Sequence, residues 1–301
     1  MTERVADLTS VIVVACDSGP LLVDCVASVL ASSVPVEAII SDNASRDGSI
    51  EALSSRWPHE PRLQILRNGA NLGFGAGCNR GAALARGNML LFLNPDCRVE
   101  SDTIARLRAH MDARIGVLGA MIVDAGGKPE SASRRRDPLL RRCLMTATRL
   151  ARWEARWPVL AGITAPGQPD PPPREDIEAV SGALMLVPRA AFEQIGGFDE
   201  VYFLHFEDLD LCRRMRTAGW RVACANDVRV VHAKGASSRA RPFFVALHKH
   251  RGMWRWFVKF DPAARNPLLR ALAWAGIWSH YLCMSPLYTW RWLRARFSGS
   301  D

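Results

Sequence analysis

The sequence predicts an α/β protein, a largely parallel sheet flanked by helices, with a basic, Trp-rich helical extension at its C-terminus. Three observations point there. Short continuous apolar runs alternate with stretches of helical spacing, polar loops follow the apolar runs, and six of the ten tryptophans (254, 256, 274, 278, 290 and 292) lie beyond residue 250. Apolar runs of this length are the mark of strands buried on both faces, and such sheets bind ligands at the carboxyl ends of their strands.

Val11 to Ala15 is the first apolar run, closed by Ser18-Gly19-Pro20, and Leu21 to Leu30 carries helical spacing. Val36 to Ser41 is the next strand; it ends in Asp42-Asn43-Ala-Ser45-Arg-Asp47-Gly48-Ser49 before a helix to about Trp57. Asp42 therefore falls at a strand's carboxyl end, where an α/β sheet meets its ligand. Leu63 to Arg67 is a third strand, followed by Asn71-Leu-Gly73-Phe-Gly75-Ala-Gly77-Cys-Asn79. Glycines at this density allow close backbone approach to a ligand, and the helix that follows offers free N–H groups to phosphate or ribose. Asn88 to Leu93 is a strand stopped by Asn94-Pro95-Asp96. Two oxygen-bearing side chains at a strand end suit Mg²⁺ or Mn²⁺, and they equally suit a plain strand-to-turn junction.

A helix over residues 101–113 and a strand over 115–123 complete the first half. Residues 124–177 are rich in Arg and Pro, and read either as a basic amphipathic excursion toward membrane or acceptor or as a solvated insertion. Strands resume at 179–187, followed by a short helix from Pro188 to Ile195 and the turn Gly196-Gly197-Phe198-Asp199-Glu200. Arg221 to Ala225 and Val228 to Val231 read as two short strands, the second ending at His232, with Lys234-Gly235 and Ser237-Ser238 beyond.

The stretch from Phe203 to Trp220 organises the second half. If Glu207 opens a helix, Asp208, Leu211, Cys212 and Met215 share one face, so a carboxylate lies in line with the apolar stripe. The helix dipole favours its ionised form, while Glu207 and Asp210 push its pKa back up, a balance that suits a general base. An acidic cluster at a helix start is also the ordinary capping arrangement.

The net charge of +9 is unevenly placed. Residues 134–156 carry eight Arg against Asp137 and Glu154, residues 248–301 carry nine Lys or Arg against Asp261 and Asp301, and the remainder is mildly acidic. Two basic patches imply an anionic partner such as a phosphate-bearing lipid or a membrane surface. No zinc-finger, RNA-binding or basic-zipper signature is present, which argues against nucleic acid. The eight cysteines include no Cys-x-x-Cys pair and read as buried thiols of a reducing cytosol. The N-terminus lacks the apolar core of a signal peptide.

Taken in order, the Asp42 loop, the Asn71-to-Asn79 loop, Leu93-Asn-Pro-Asp96, Ser181-Gly-Ala-Leu, Gly196-Gly-Phe-Asp199-Glu, Phe206-Glu-Asp208-Leu-Asp-Leu and Val231-His232 resemble glycosyltransferase family 2, in its non-processive, rhamnosyltransferase-like bacterial subgroup, over roughly residues 9–240. The resemblance implies a GT-A fold, a Rossmann-like mixed sheet flanked by helices, and an inverting transfer of one sugar, with L-rhamnose from dTDP-rhamnose as the expected one, to a lipid-linked or cell-envelope glycan. It implies a nucleotide-sugar donor carrying dTDP or UDP and a Mg²⁺ or Mn²⁺ ion. Asp208 matches the catalytic base, with Glu207 beside it. Asp42 matches the pyrimidine-binding acid, and Ala15, Asp17, Asn43, Asn71, Gly73, Gly75 and Asn79 fall at the matching donor loops. Asn94 and Asp96 match the metal and diphosphate motif, His232 a metal or diphosphate ligand, and Gly182 and His205 the acceptor side. Two positions depart from the family: Ala15-Cys16-Asp17 stands where Thr-Tyr-Asn is usual, and Asn94 replaces the first acid of the metal motif.

The catalytic domain is expected over residues 1–245, with a donor half at 9–123, the basic excursion at 124–177 and an acceptor half at 178–240. Residues 246–301 would form the membrane-associating extension. Trp and cations together mark a membrane interface, but the uncharged residues 271–288 are interrupted by His280 and Pro286. Helices lying on the inner leaflet of the cytoplasmic membrane are expected rather than a span, and packing on the catalytic domain or a dimer contact is the alternative. Two competing functions are a catalytically idle nucleotide-sugar or glycan-binding module recruited to the membrane, and a nucleotidyltransferase, for which no glycine-rich N-terminal signature is present.

Overall fold

The computed structural model describes residues 4–165, 171–233 and 241–290. Lys234-Gly235, Ser237-Ser238 and Trp292 lie outside them. The strands β1 (Val5–Ala15), β2 (Val36–Asp42), β3 (Leu63–Arg67), β4 (Gly87–Leu93), β5 (Cys97–Arg98), β6 (Ile115–Val123), β7 (Arg174–Asp176), β8 (Leu184–Pro188) and β9 (Arg221–His232) form one mixed sheet. Its order is β3-β2-β1-β4-β8-β6-β9-β5, with β7 paired to β9. β3, β2, β1 and β4 run parallel, as do β6 and β9, while β8 is antiparallel to both β4 and β6.

Helices cover both faces. α1 (Leu21–Leu30), α2 (Ser49–Arg56) and α4 (Thr103–Ala109) pack Val26, Leu53 and Ile104 onto one side. α3 (Phe74–Leu84), α6 (Arg189–Gln194) and α7 (Glu207–Thr217) pack Cys78, Phe192 and Leu211 onto the other. Between these two apolar layers the strands are buried on both faces, which is why they read as unbroken apolar runs rather than as alternation.

Besides β1, which begins at Val5 rather than Val11, three elements differ from the sequence reading. The strand from Arg221 is one element, not two: Asn226 and Asp227 fall at an irregularity in its pairing with β6, and Asn226 bonds to the carbonyls of Pro172 and Pro173, so the polar pair is accommodated without ending the strand. The strand expected at 179–187 begins only at Leu184, because Ser181 and Gly182 form a turn. The helix expected over 101–113 stops at Ala109, where the chain turns toward β6.

The largest difference concerns residues 124–177. They contain α5 (Leu140–Ala147) and β7, and four of the patch's eight arginines are ion-paired within the fold: Arg134 to Glu175, Arg135 to Asp208, Arg136 to Glu154 and Arg142 to Glu178. Asp137, 2% exposed, receives Arg213 and Arg216 from α7. Through these pairs the described residues of the segment are held to the rest of the fold rather than standing as a solvated insertion. It is clamped to the sheet and to α7.

The C-terminal region is rooted in the same core. α8 (Pro242–Phe260) runs unbroken across residues 245 and 246 and buries Trp256 completely. Arg255 and Lys259 bond Asp199 at 2.8 Å each, and Lys259 also reaches Asp210 at 2.5 Å. α9 (Pro267–Cys283) buries Ala273 and leaves Leu268, Leu272, Trp274 and Leu282 more than half exposed. No helix among the described residues is long and apolar enough to cross a membrane.

Asp137→Ala is expected to destabilise the protein by about 3 kcal/mol, because it strips two guanidinium groups of their shared buried carboxylate. Urea unfolding monitored by tryptophan fluorescence measures this; a solvated insertion would show a change within about 0.5 kcal/mol.

Candidate active site

The strand order reverses between β1 and β4, so the crevice at their carboxyl ends is open to a ligand. β1 delivers Ala15 there, and Asp17 follows with φ at +51°. Its backbone N–H donates to Ser45 Oγ at 3.1 Å, and its carboxylate accepts the Arg46 N–H at 2.8 Å. β2 delivers Asp42, 3% exposed, whose Oδ1 accepts the Ser45 N–H at 2.9 Å. Asn43 Nδ2 donates to the Gly73 carbonyl at 3.0 Å and to Asn71 Oδ1 at 3.3 Å, tying the loop after β2 to the glycine-rich loop.

That loop divides its work. Gly73 has φ at +87°, and a Cβ there would lie 2.4 Å from the Phe203 carbonyl oxygen, so glycine is required for the loop to reach the segment that leads into α7. Gly75 packs against Phe198. Asn79 donates to the Phe198 carbonyl and Glu200 and accepts the Phe198 N–H, so its amide braces the turn at residues 196–200.

β4 ends at Leu93, and the N–H of Asn94, the next residue, donates to the Ala183 carbonyl at 2.9 Å. Because β8 runs antiparallel, its amino-terminal end lies at this same edge and brings Gly182 to it. β5 pairs Cys97 with His232 of β9, which sets Asp96 beside the imidazole. His232 Nε2 lies 3.1 Å from Asp96 Oδ1, and Nδ1 lies 3.3 Å from Glu130 Oε1. Burial alone would lower the His232 pKa, but the two carboxylates outweigh it and raise it.

Asp96, Cys97 and His232 are close enough to share an ion. Cys97 does not suit a hard cation: it is fully buried, burial lifts its thiol far above the usual range, and its sulfur bonds the Ala183 carbonyl. The remaining carboxylate oxygen and imidazole nitrogen fit Mn²⁺ or Mg²⁺, with Glu130 orienting the ring from behind. Asp96 and His232 are the residues that would hold such an ion.

Asp208 sits in the first turn of α7 as the sequence predicts, 8% exposed, on the wall of a cavity of about 1250 Å³ that His205 also lines. Its Oδ2 accepts the Gly182 N–H at 2.9 Å and the Arg135 guanidinium, and its Oδ1 accepts the Leu209 N–H at 2.8 Å. A Cβ on Gly182 would lie 3.0 Å from Oδ2, so this residue crowds the carboxylate itself. Burial would raise the Asp208 pKa, but Arg135 and the two N–H bonds prevail and hold it below the usual carboxylate range. The expected upward push from Glu207 and Asp210 is thus overruled: Asp210 is tied to Arg214 and Lys259, and the guanidinium of Arg135, a residue the sequence left in an anonymous basic run, dominates. Glu207 carries the opposite shift. Its burial, together with the charge of Asp208, raises it to about 8.

The Glycosyl transferase family 2 model matches residues 10–162. The N-acetylglucosaminyl-diphospho-decaprenol L-rhamnosyltransferase of Mycobacterium tuberculosis is 32% identical over 294 residues, covering 87% of this chain and 93% of that protein. The chain belongs to glycosyltransferase family 2. Among solved structures, the mannosyltransferase PcManGT of Pyrobaculum calidifontis, in complex with GDP-Man and Mn²⁺, matches 97% of this chain and 76% of its own at a TM-score of 0.57 and 18% identity. GalNAc-T7 with UDP, GalNAc and Mn²⁺ matches 87% of this chain and 51% of its own at a TM-score of 0.63, also at 18% identity. At that identity these two establish the fold, GT-A. With the family established, the chain is a glycosyltransferase, and the idle-module and nucleotidyltransferase readings fall away.

Glu207→Gln is expected to change how stability depends on pH. Below about pH 4, the unfolded Glu207 is protonated like the folded one, so wild type carries no penalty there. Between that point and about pH 8 the unfolded group ionises while the folded one stays neutral, and wild type loses stability relative to the variant as pH rises. Urea midpoints at pH 4, 6 and 8 check this; a difference that stays constant with pH would contradict it.

Proposed function

We propose that the chain is an inverting, metal-dependent glycosyltransferase that moves one sugar, L-rhamnose from its dTDP-activated form, to a lipid-linked envelope glycan. The observation that carries this reading is the Asp208 carboxylate on the cavity wall, at the sheet edge that also gathers Asp42, Asp96 and His232. The similarity to an L-rhamnosyltransferase over nearly its full length supports the sugar and the diphospholipid acceptor.

In this reading Asp42, Asn43 and the loops at 15–17 and 71–73 hold the nucleoside, and Asn94 and Asp96 face the diphosphate. Asp96 and His232 would hold the ion, which would supply positive charge to the leaving diphosphate. The acceptor hydroxyl attacks the sugar's anomeric carbon, its proton passes to Asp208, and the bond to the diphosphate breaks with its electrons on the leaving group. Oδ1 of Asp208 is the oxygen for that proton, since it accepts one hydrogen bond whereas Oδ2 accepts two. Attack from the side opposite the diphosphate inverts the carbon. His205 and Gly182 border the acceptor side. Residues 9–123 serve as the donor half and 178–240 as the acceptor half. The exposed apolar residues of α9 support attachment to the inner membrane surface, with the protein in the cytoplasm.

Asp208→Asn is expected to lower transfer at least about 1000-fold while dTDP still raises the melting temperature in the presence of Mn²⁺. Chelation of divalent ions is expected to abolish transfer by wild type, with Mn²⁺ or Mg²⁺ restoring it. Undiminished transfer by the Asn variant would remove Asp208 as the base.

A further inference from the structure

The cavity beside Asp208 has two kinds of wall. Phe206, Leu209, Val245, Met284 and Tyr288 are apolar, and Arg135, Arg136 and Lys249 are basic. A sugar alone would leave the apolar wall in contact with water, and about 1250 Å³ exceeds the range of about 300–1000 Å³ usual for small-ligand pockets. Of the three cations, Arg136 is neutralised by Glu154 and also donates to the Gly162 carbonyl. Lys249, exposed on α8, forms no ion pair among the described residues. Arg135 is different again, because its only carboxylate among those residues is Asp208.

Arg135 is also restrained in a way that allows exchange. Its backbone bridges Thr164 and Ala179, so the residue is fixed, while its Nη2 donates both to Asp208 and to the Val180 carbonyl. Its Nε is buried without a hydrogen-bond partner. A planar guanidinium offers two parallel donors to a phosphate, a better match than the single carboxylate oxygen it holds here.

Resting on the glycosyltransferase reading, we propose that this cavity receives an acceptor whose sugar is joined through a diphosphate to an isoprenoid chain, and that the diphosphate, gripped by Arg135 and Lys249, draws Arg135 off Asp208. The chain next to the diphosphate lies along Phe206, Val245, Met284 and Tyr288, and the sugar hydroxyl reaches Oδ1 of Asp208. Arg135 is thereby both an acceptor-binding residue and a latch on the base. While the latch is closed, the carboxylate is held in a weakly basic state; seating the anionic acceptor opens it and strengthens the base at the moment a hydroxyl is present. Water entering the cavity carries no phosphate and leaves the base latched, which suppresses wasteful donor hydrolysis.

The groups facing Asp208 are Arg135 from the clamped segment, Glu207 and Cys212 from α7 itself, and His205 from the loop before it. Of these, Arg135 is the one whose removal raises the base's pKa directly.

The test uses the full chain and two acceptors with the same sugar: N-acetylglucosaminyl diphosphate on a short isoprenoid alcohol, and the neutral octyl N-acetylglucosaminide. Wild type is expected to favour the diphosphate acceptor by at least about 100-fold in kcat/KM. Arg135→Ala is expected to cut the preference for the diphosphate acceptor over the neutral one at least about 10-fold, and with the neutral acceptor its acidic limb moves to higher pH. Equal losses on both acceptors, or an unmoved limb, would overturn the latch. Lys249→Glu, a change at an exposed position that does not threaten folding, is expected to raise KM for the diphosphate acceptor about 10-fold and leave the neutral one unchanged; no effect would overturn the grip. Transfer to both acceptors at equal rates by wild type sinks the inference alone, whereas no transfer to either, with donor binding intact, sinks the reading beneath it.

Discussion

The Asp208 carboxylate is the point at which three distant parts of the chain meet. The Gly182 N–H, the Leu209 N–H and the Arg135 guanidinium converge on it, so a turn before β8, the start of α7 and the segment after β6 are fixed relative to one another by a single buried charge. A buried charge that loses its partners is costly, by several kcal/mol, and this makes the meeting point specific. The same contacts that satisfy the charge also keep it weakly basic. In the proposed mechanism, structural demand and chemical demand are therefore opposed at this residue, and an acceptor that takes Arg135 away would relieve the opposition.

The sheet supplies the other half of the arrangement. Parallel strands send the ends of β1, β2 and β4 to one edge, and a single reversal, at β8, brings Gly182 to that edge as well. β9 closes the edge with His232, held between Asp96 and Glu130. In the proposed reaction, a nucleoside, a diphosphate with its ion, and an acceptor hydroxyl would each find residues on this one rim. The long helix α8 completes the enclosure. It is held by Asp199 and Asp210 through Arg255 and Lys259, and it carries Lys249 and Val245 to the cavity. The positive charge of residues 248–301 thus has two uses inside the described fold, a tether to the turn before α7 and a wall for the cavity.

Much of this was legible in the sequence because the physical signals were local. Leu21 to Leu30, Leu63 to Arg67 and Ile115 to Val123 have the limits read from apolar runs and turn residues, and Asp208 faces inward because its spacing from Leu211 and Met215 dictates it. What could not be read were the long-range pairings. β5 and β7 are two and three residues long and exist only because β9 is beside them. The arginines of residues 134–142 look alike in sequence, and which of them meets Glu175, Asp208, Glu154 or Glu178 depends on side chains far along the chain. The one signal available was the demand of the carboxylate itself: an acid buried at a helix start beside a second acid needs a cation, but Arg213, Arg214 and Arg216 are nearer in the chain, so the sequence does not single out Arg135.

The stereochemistry of transfer tests the central claim most directly. A single carboxylate that takes a proton from the attacking hydroxyl, with no second nucleophile in the chemistry, requires the sugar's anomeric configuration to invert. NMR of the product, reading the C1–H1 coupling of the transferred sugar against that of the donor, decides it. Opposite configurations are the expected result; the same configuration in donor and product would contradict direct displacement and the role given to Asp208.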